Sequence, residues 1–308
     1  MAKVFIDGSA GTTGLRIYER LAGRKDIELI ILSDEKRKIP EYKKEAMLQS
    51  DITFLCLPDD AARESVALAG DADTVIIDTS TAHRTDETFA YGFPELTGYD
   101  VISAAKRIAN PGCHASGFIA LVYPLVKAGI LSKDALLTCF SITGYSGGGK
   151  KMIAEYEGQE RNPLLDAPRQ YGIAQTHKHL KEMDYICGLD NAPLFSPIVA
   201  DFYSGMEVSV PVFGEQISGT MEDVAEAYKA CYPAGRGLVH YKAGADEGGF
   251  LSAAAYAGKD DMEISVSGNP ERILLTARFD NLGKGASGAA IQNMNIVLGV
   301  DEKLGLEC

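Results

Sequence analysis

Val4-Phe5-Ile6-Asp7-Gly8-Ser9-Ala10-Gly11-Thr12-Thr13-Gly14 takes the chain from an apolar run, through a glycine-rich turn, into a helical pattern. The glycines follow G-x-x-G-x-x-G rather than the stricter G-x-G-x-x-G. The physical logic is the same: glycine lets backbone approach a pyrophosphate, and a helix start offers N–H donors to it. Gly8, Ser9, Ala10, Gly11, Thr12, Thr13 and Gly14 are therefore the expected cofactor cradle. Without the strand and helix on either side, the same glycines would read only as a tight turn.

Outward from this turn, residues 1 to about 110 alternate short apolar runs with helical stretches. A helix is expected around Thr12–Ala22 and another over Asp59–Ala69. Strands are expected at Ile27–Leu32, Ile52–Leu57, Thr74–Asp78 and Val101–Ala104. Strand and helix in alternation imply an α/β fold with a parallel sheet covered on both faces. After Cys113 the pattern changes. Leu136–Ile142 reads as a strand, and Met206–Phe213 alternates valines with polar or small residues. Glu263–Val266 and Ile273–Phe279 flank a hairpin turn at Ser267-Gly268-Asn269-Pro270. Thr220 and Asp223 form a near capping box for a helix that stops before Pro233. This half predicts a mostly antiparallel sheet with helices on one face, followed by a terminal helix from Gly285 to Leu298.

The end of the second strand bears on cofactor choice. In Ser33-Asp34-Glu35-Lys36-Arg37-Lys38, Ser33 can bond a 2′-phosphate and Lys36 or Arg37 can neutralise it, which favours NADP. Asp34 argues for NAD, and a solvated charge run is the plain alternative.

The 308 residues suffice for two domains. A net charge of −13 argues against a nucleic-acid surface. No apolar run has the length of a membrane span, and the start reads directly into a strand without a signal peptide. The six cysteines show neither paired nor metal-site spacing. Reduced thiols in the cytoplasm, and no metal, are the expectation.

Chemistry is suggested by Ala109-Asn110-Pro111-Gly112-Cys113-His114-Ala115-Ser116. A Pro-Gly corner delivers Cys113 to the start of a helix expected over Ala115–Lys127, where partial positive charge favours thiolate. The alternative for Cys113 is a small core filler, as expected of Cys56 and Cys139 in their apolar runs. A proton carrier is expected in His177-Lys178-His179-Leu180-Lys181-Glu182. If a helix starts here, His179 and Glu182 share a face and the carboxylate orients the ring. His177 is the other candidate, and two surface histidines are the bland reading. His114 should point away from Cys113, as a structural or surface residue. Arg84, beyond the carboxyl end of a parallel strand, is a candidate substrate anchor or a surface ion pair. Arg107 is a second anchor candidate. Gly144-Tyr145-Ser146-Gly147-Gly148-Gly149-Lys150 reads as an anion-friendly turn or a flexible loop.

In order along the chain, these segments resemble the N-acetyl-gamma-glutamyl-phosphate reductases of arginine biosynthesis, in their shorter form. The resemblance is carried by the opening glycine turn, Asp78-Thr79-Ser80-Thr81-Ala82-His83-Arg84, Tyr91-Gly92-Phe93-Pro94-Glu95-Leu96 and Asn110-Pro111-Gly112-Cys113. It continues through Thr143–Gly149, His177–Glu182 and Asn281-Leu282-Gly283-Lys284-Gly285-Ala286-Ser287-Gly288. The resemblance implies a Rossmann domain (1–112 with 285–308) and a glyceraldehyde-3-phosphate-dehydrogenase-like α+β domain (113–284). It also implies NADP, a catalytic Cys113, the histidines at 177 and 179, Lys284 near the nicotinamide, and a homo-oligomer, dimer or tetramer. His-Ala-Ser after Cys113 replaces the Tyr-Pro-Thr usual in longer members. The implied reaction is NADPH-dependent reduction of an acyl phosphate through a cysteine thioester. Aspartyl or aminoadipyl phosphate as substrate, or a silent NADP-binding sensor, are the rival readings.

Overall fold

A computed structural model describes residues 1–308. The chain runs β1 (Ala2–Asp7), α1 (Thr12–Leu21), β2 (Ile27–Ile30), α2 (Pro40–Gln49), β3 (Ile52–Leu55), α3 (Asp59–Ala69), β4 (Val75–Asp78), β5 (Ala90–Tyr91), α4 (Pro94–Thr97), α5 (Tyr99–Ala104) and β6 (Arg107–Ala109). It continues with α6 (Cys113–Lys127), β7 (Thr138–Gly144), α7 (Gly149–Glu157), β8 (Arg169–Gln170), α8 (His179–Cys187), β9 (Leu194–Ala200), β10 (Met206–Phe213) and α9 (Met221–Cys231). The last elements are β11 (Val239–Tyr241), β12 (Met262–Asn269), β13 (Arg272–Phe279) and α10 (Gly288–Val297). Two compact units result, Met1–Gly112 with Ala286–Leu306, and Cys113–Gly285 with Glu307–Cys308. No helix is long and apolar enough to cross a membrane.

The first unit holds a six-stranded sheet, β2-β1-β3-β4-β6-β5, parallel throughout. Every residue of β3 and β4 is buried, because helices cover both faces. Strand alternation divides the core in two. Val4, Phe54 and Ile77 face Ile17 and Leu21 of α1 and Ile291 and Met294 of α10. Phe5, Leu55 and Ile76 face Ala46 and Met47 of α2 and Ala69 of α3.

Two sequence readings need correction here. Val101–Ala104, expected as a strand, lies in helix α5. Only Ile102 of that helix is buried, whereas a strand inside this sheet would bury both faces; the strand position belongs to β6. Helix α2 went unrecognised because its apolar face is only Ala46 and Met47, amid a charged run.

The second unit is a seven-stranded sheet, β11-β12-β13-β10-β7-β9-β8, antiparallel except at β11/β12 and β7/β9. Helix α6 lies on it so closely that a Cβ on Gly117 would sit 2.5 Å from Val208. Pro124, inside α6, has no N–H for the Ala120 carbonyl one turn back. The Tyr232 hydroxyl donates to that carbonyl instead, at 2.8 Å, and Tyr228 does the same for Leu121. The Thr220–Asp223 capping box forms with both of its bonds, and α9 ends at Cys231, before Pro233.

Candidate active site

The glycine turn has the geometry its sequence requires. Gly8 adopts φ +91°, and a Cβ there would lie 2.3 Å from the Cys56 carbonyl oxygen. A Cβ on Gly14 would lie 2.4 Å from the Gly8 oxygen. Gly11 is the N-cap of α1 and supplies no capping side chain, so the first turn keeps its N–H groups for a ligand. Gly8, Ser9 and Ala10 line a cavity of about 280 Å³ that extends along β2 to Asp34 and Arg37. Glycine is thus required at both positions because the turn closes on the Cys56 backbone and on itself. Arg37 Nε meets Asp34 at 2.8 Å, so the acidic and basic signals of the sequence sit side by side. Ser33 and Lys36 line a neighbouring cavity of about 360 Å³ instead.

Arg84 is buried in this same unit. Its Nε donates to the Asn110 carbonyl and its Nη2 to Thr79, at 2.9 and 3.0 Å, which ties the end of β6 to that of β4. His83 is held at 2.6 Å by Asp78 and stacks on Phe89. Arg107 does not fit the role of a substrate anchor. It begins β6 and donates to the Gly70 and Thr74 carbonyls, at the sheet edge opposite the strand carboxyl ends where parallel sheets bind ligands.

In the second unit Cys113 is the first residue of α6 and half-buried, with its backbone at the helix start. Gly285 backs onto it; a Cβ there would meet the Cys113 Cβ at 3.0 Å. The Gly283–Ser287 turn that carries buried Lys284 is thereby packed on the thiol residue. Asn281 donates to Ser146 and accepts from the Gly205 N–H, joining two of the motif segments.

Of the two readings open for His114, structural or surface residue, the structure favours the structural one. It is buried rather than exposed, with Nδ1 2.6 Å from Ser141 Oγ and Nε2 2.6 Å from the Tyr171 hydroxyl. Its ring lies 5.9 Å from that of His177, 5.6 Å from His179 and 5.3 Å from Phe195. Burial, with the neighbouring His177, pushes its pKa down to about 3. His177 is also lowered, by desolvation and then by Lys178. Burial raises the Tyr171 phenol, and negative charge on Cys113 raises it further.

Helix α8 begins at His179, so His177 lies just outside it on the preceding loop. His177 Nδ1 accepts from the His179 N–H at 3.2 Å. His179 and Glu182 are both buried and one turn apart on α8. The loop is pinned by Gln175, the one non-glycine residue with positive φ, at 55°. Its side-chain amide exchanges two bonds with the Phe195 backbone, at 2.8 and 2.9 Å.

Sequence reasoning missed Tyr171, Ser141, Gln175 and Arg169. Arg169 donates from Nε and Nη2 to the Tyr156 hydroxyl and has no carboxylate within ion-pair distance. Arg161, on the same Tyr156 ring, is matched by Asp166 and Asp201. Tyr171-Gly172 ahead of the histidines was a usable turn signal; nothing local marked Ser141.

Residues 3–104 match the semialdehyde dehydrogenase NAD binding domain and residues 113–281 the semialdehyde dehydrogenase dimerisation domain. Aspartate semialdehyde dehydrogenase II of Vibrio cholerae, complexed with ASA, shares the fold at TM-score 0.74 and 19% identity, over 97% of this chain and 98% of that one. The Candida albicans enzyme with NADP aligns at TM-score 0.65 and 15% identity, over 97% and 98%. Fold and domain matches define the class: a semialdehyde dehydrogenase, an oxidoreductase with a dinucleotide domain. N-acetyl-gamma-glutamyl-phosphate reductase 2 of Nostoc sp. is 44% identical over 99% of both chains. The Rhizobium etli N-acetyl-gamma-glutamyl-phosphate reductase is 44% identical over 96% of this chain and 98% of its own. This chain belongs to the N-acetyl-gamma-glutamyl-phosphate reductase family.

Proposed function

We propose that this chain reduces N-acetyl-L-glutamyl 5-phosphate to N-acetyl-L-glutamate 5-semialdehyde, with release of phosphate and use of NADPH, as a step of arginine biosynthesis. The observation that carries the reading is Cys113 at the start of α6 beside a three-histidine cluster, in a chain alignable end to end with reductases of that name.

Cys113 attacks the acyl carbon, the C–O bond to phosphate breaks, and a thioester remains. Bound NADPH supplies hydride to the thioester carbon. His179 protonates the resulting oxyanion and takes the proton back as the C–S bond breaks, releasing aldehyde and thiolate. Glu182, one turn along α8, orients His179. His177, with Nδ1 accepting from the His179 backbone, carries its own proton on Nε2 and braces the loop. The cradle Gly8–Gly14 would hold the pyrophosphate, Arg37 the 2′-phosphate, and Lys284 the nicotinamide end.

Arg169 replaces Arg84 and Arg107 as our candidate for the substrate carboxylate. A guanidinium without a counter-charge, two residues before Tyr171, suits an anionic ligand. Arg84 organises the β4 and β6 ends.

We assign dimerisation to a second copy seated on the sheet face opposite α6, where Phe140, Leu194 and Phe213 are exposed in the unit matching the dimerisation domain. The dimer is the unit from which a tetramer would build. We place the chemistry in the cytoplasm, where cellular thiols keep a reactive Cys113 reduced. The test is phosphate-dependent oxidation of N-acetyl-glutamate semialdehyde with NADP against NAD, with the aspartyl and aminoadipyl aldehydes as rivals. Activity on a rival alone overturns the substrate; activity in Cys113→Ala overturns the thioester.

A further inference from the structure

The line Ser141–His114–Tyr171 joins β7, α6 and the residue after β8, next to the thiol. A neutral imidazole has one N–H and one acceptor nitrogen. His114 is neutral at working pH, so its two 2.6 Å contacts run in one direction. In one arrangement Nδ1–H donates to Ser141 and the Tyr171 O–H donates to Nε2. In the other, the Ser141 O–H donates to Nδ1 and Nε2–H donates to the Tyr171 oxygen.

Burial decides between them. Ser141 is wholly buried, and His114 Nδ1 is its hydrogen-bond partner. The first arrangement strands the serine proton in the interior, where an unmet donor is costly. The second satisfies serine and leaves the phenol proton outside the line. Tyr171 is only half-buried, so that proton can meet solvent or a ligand. We propose that Tyr171 is a hydrogen-bond donor to the substrate oxyanion formed on the carbon joined to Cys113, with Ser141 and His114 as positioning residues that turn its O–H there. Burial raises the phenol above its ordinary value, so it keeps its proton, as a donor must. This inference rests on the thioester reading above.

The test combines kinetics with infrared difference spectra of the Cys113 thioester in the full-length enzyme. Tyr171→Phe is expected to lower kcat by about 10²–10³-fold with KM for NADPH unchanged. The thioester carbonyl stretch should rise as its hydrogen bond is lost. Ser141→Ala should lower kcat roughly tenfold and raise the stretch less, and should have no further effect in the Tyr171→Phe background. Additive losses, or an unshifted carbonyl in folded Tyr171→Phe, overturn the proposal. Should Tyr171→Phe not fold, an unchanged stretch in Ser141→Ala overturns it alone. A wild-type enzyme that forms no thioester instead overturns the activity itself, and does so before any variant is made.

Discussion

The cradle proposed for phosphate, Gly8 to Gly14, is seven consecutive residues, whereas the groups gathered near Cys113 come from α6, β7, the 171–179 segment, β9 and the turn at Gly285. In the first, the chemistry is in the backbone. Positive φ at Gly8 and the exclusion of a Cβ by Cys56 are local demands that a sequence must declare with glycine. In the second, the chemistry is in side chains that meet only because a sheet and two helix starts bring them together. The two sites should therefore fail differently when altered.

The widest separation is expected from one variant in each. Cys113→Ala removes the proposed nucleophile and should lower kcat at least about 10⁴-fold while NADPH affinity is kept. Gly8→Val should do the reverse: NADPH binding is lost, while alkylation of Cys113 by iodoacetamide proceeds at the wild-type rate. Isothermal titration and mass spectrometry read both. Loss of NADPH binding in Cys113→Ala would show that the cradle depends on the thiol unit. Next in size, Arg169→Gln should raise KM for the semialdehyde about 10–100-fold, the worth of a charge-assisted hydrogen bond, with KM for NADP unchanged. An equal loss on an aldehyde lacking the carboxylate would remove Arg169 from the site.

This difference also governs what the sequence disclosed. The parallel unit was readable because β3 and β4 are apolar but for Thr53 and Asp78 and the glycine turn is contiguous. The capping box was readable because it is a matter of a few adjacent residues, and so was the hairpin, although β12 runs on through Asn269 and the turn is Pro270-Glu271, later than the expected Ser267–Pro270. The partners of His114 were not legible because neighbourhood to Cys113 in sequence says nothing of Ser141 and Tyr171, which arrive from 27 and 57 residues away. Arg107 was misread because type alone does not tell which end of a strand a cation occupies. Arg169 had no signal, since the lack of a counter-charge is a property of the folded chain.

Acid stability should come from the assembled site and not from the turn. The pKa of His114 is about 3 in the fold against 6.5 in an unfolded chain, so the unfolded state binds the proton first. Its neutral-state contribution is complete above pH 6.5 and is lost progressively as pH falls from there towards 3. His177 is lowered too and acts in the same direction. Replacing His114 by Gln should flatten the pH dependence of the urea midpoint between pH 6 and 4 by up to about one proton. An unchanged slope would place a charged, solvated His114 outside the cluster.

The smallest effect is expected in the cradle, at its exposed end. Asp34 and Arg37 share one ion pair, 91% and 41% exposed, so neither is held strongly by the other. A 2′-phosphate would draw the guanidinium away from Asp34, and a bare ribose would turn to the carboxylate. Arg37→Gln should therefore lower the NADP-to-NAD ratio of kcat/KM about tenfold, and Asp34→Asn should move it slightly the other way. Because the pair is exposed, the Arg37 effect should shrink as salt rises from 50 to 500 mM, following the Debye length. A ratio insensitive to Arg37 but sensitive to Ser33 or Lys36 would move the 2′-phosphate into the neighbouring cavity along β2, where those two side chains lie.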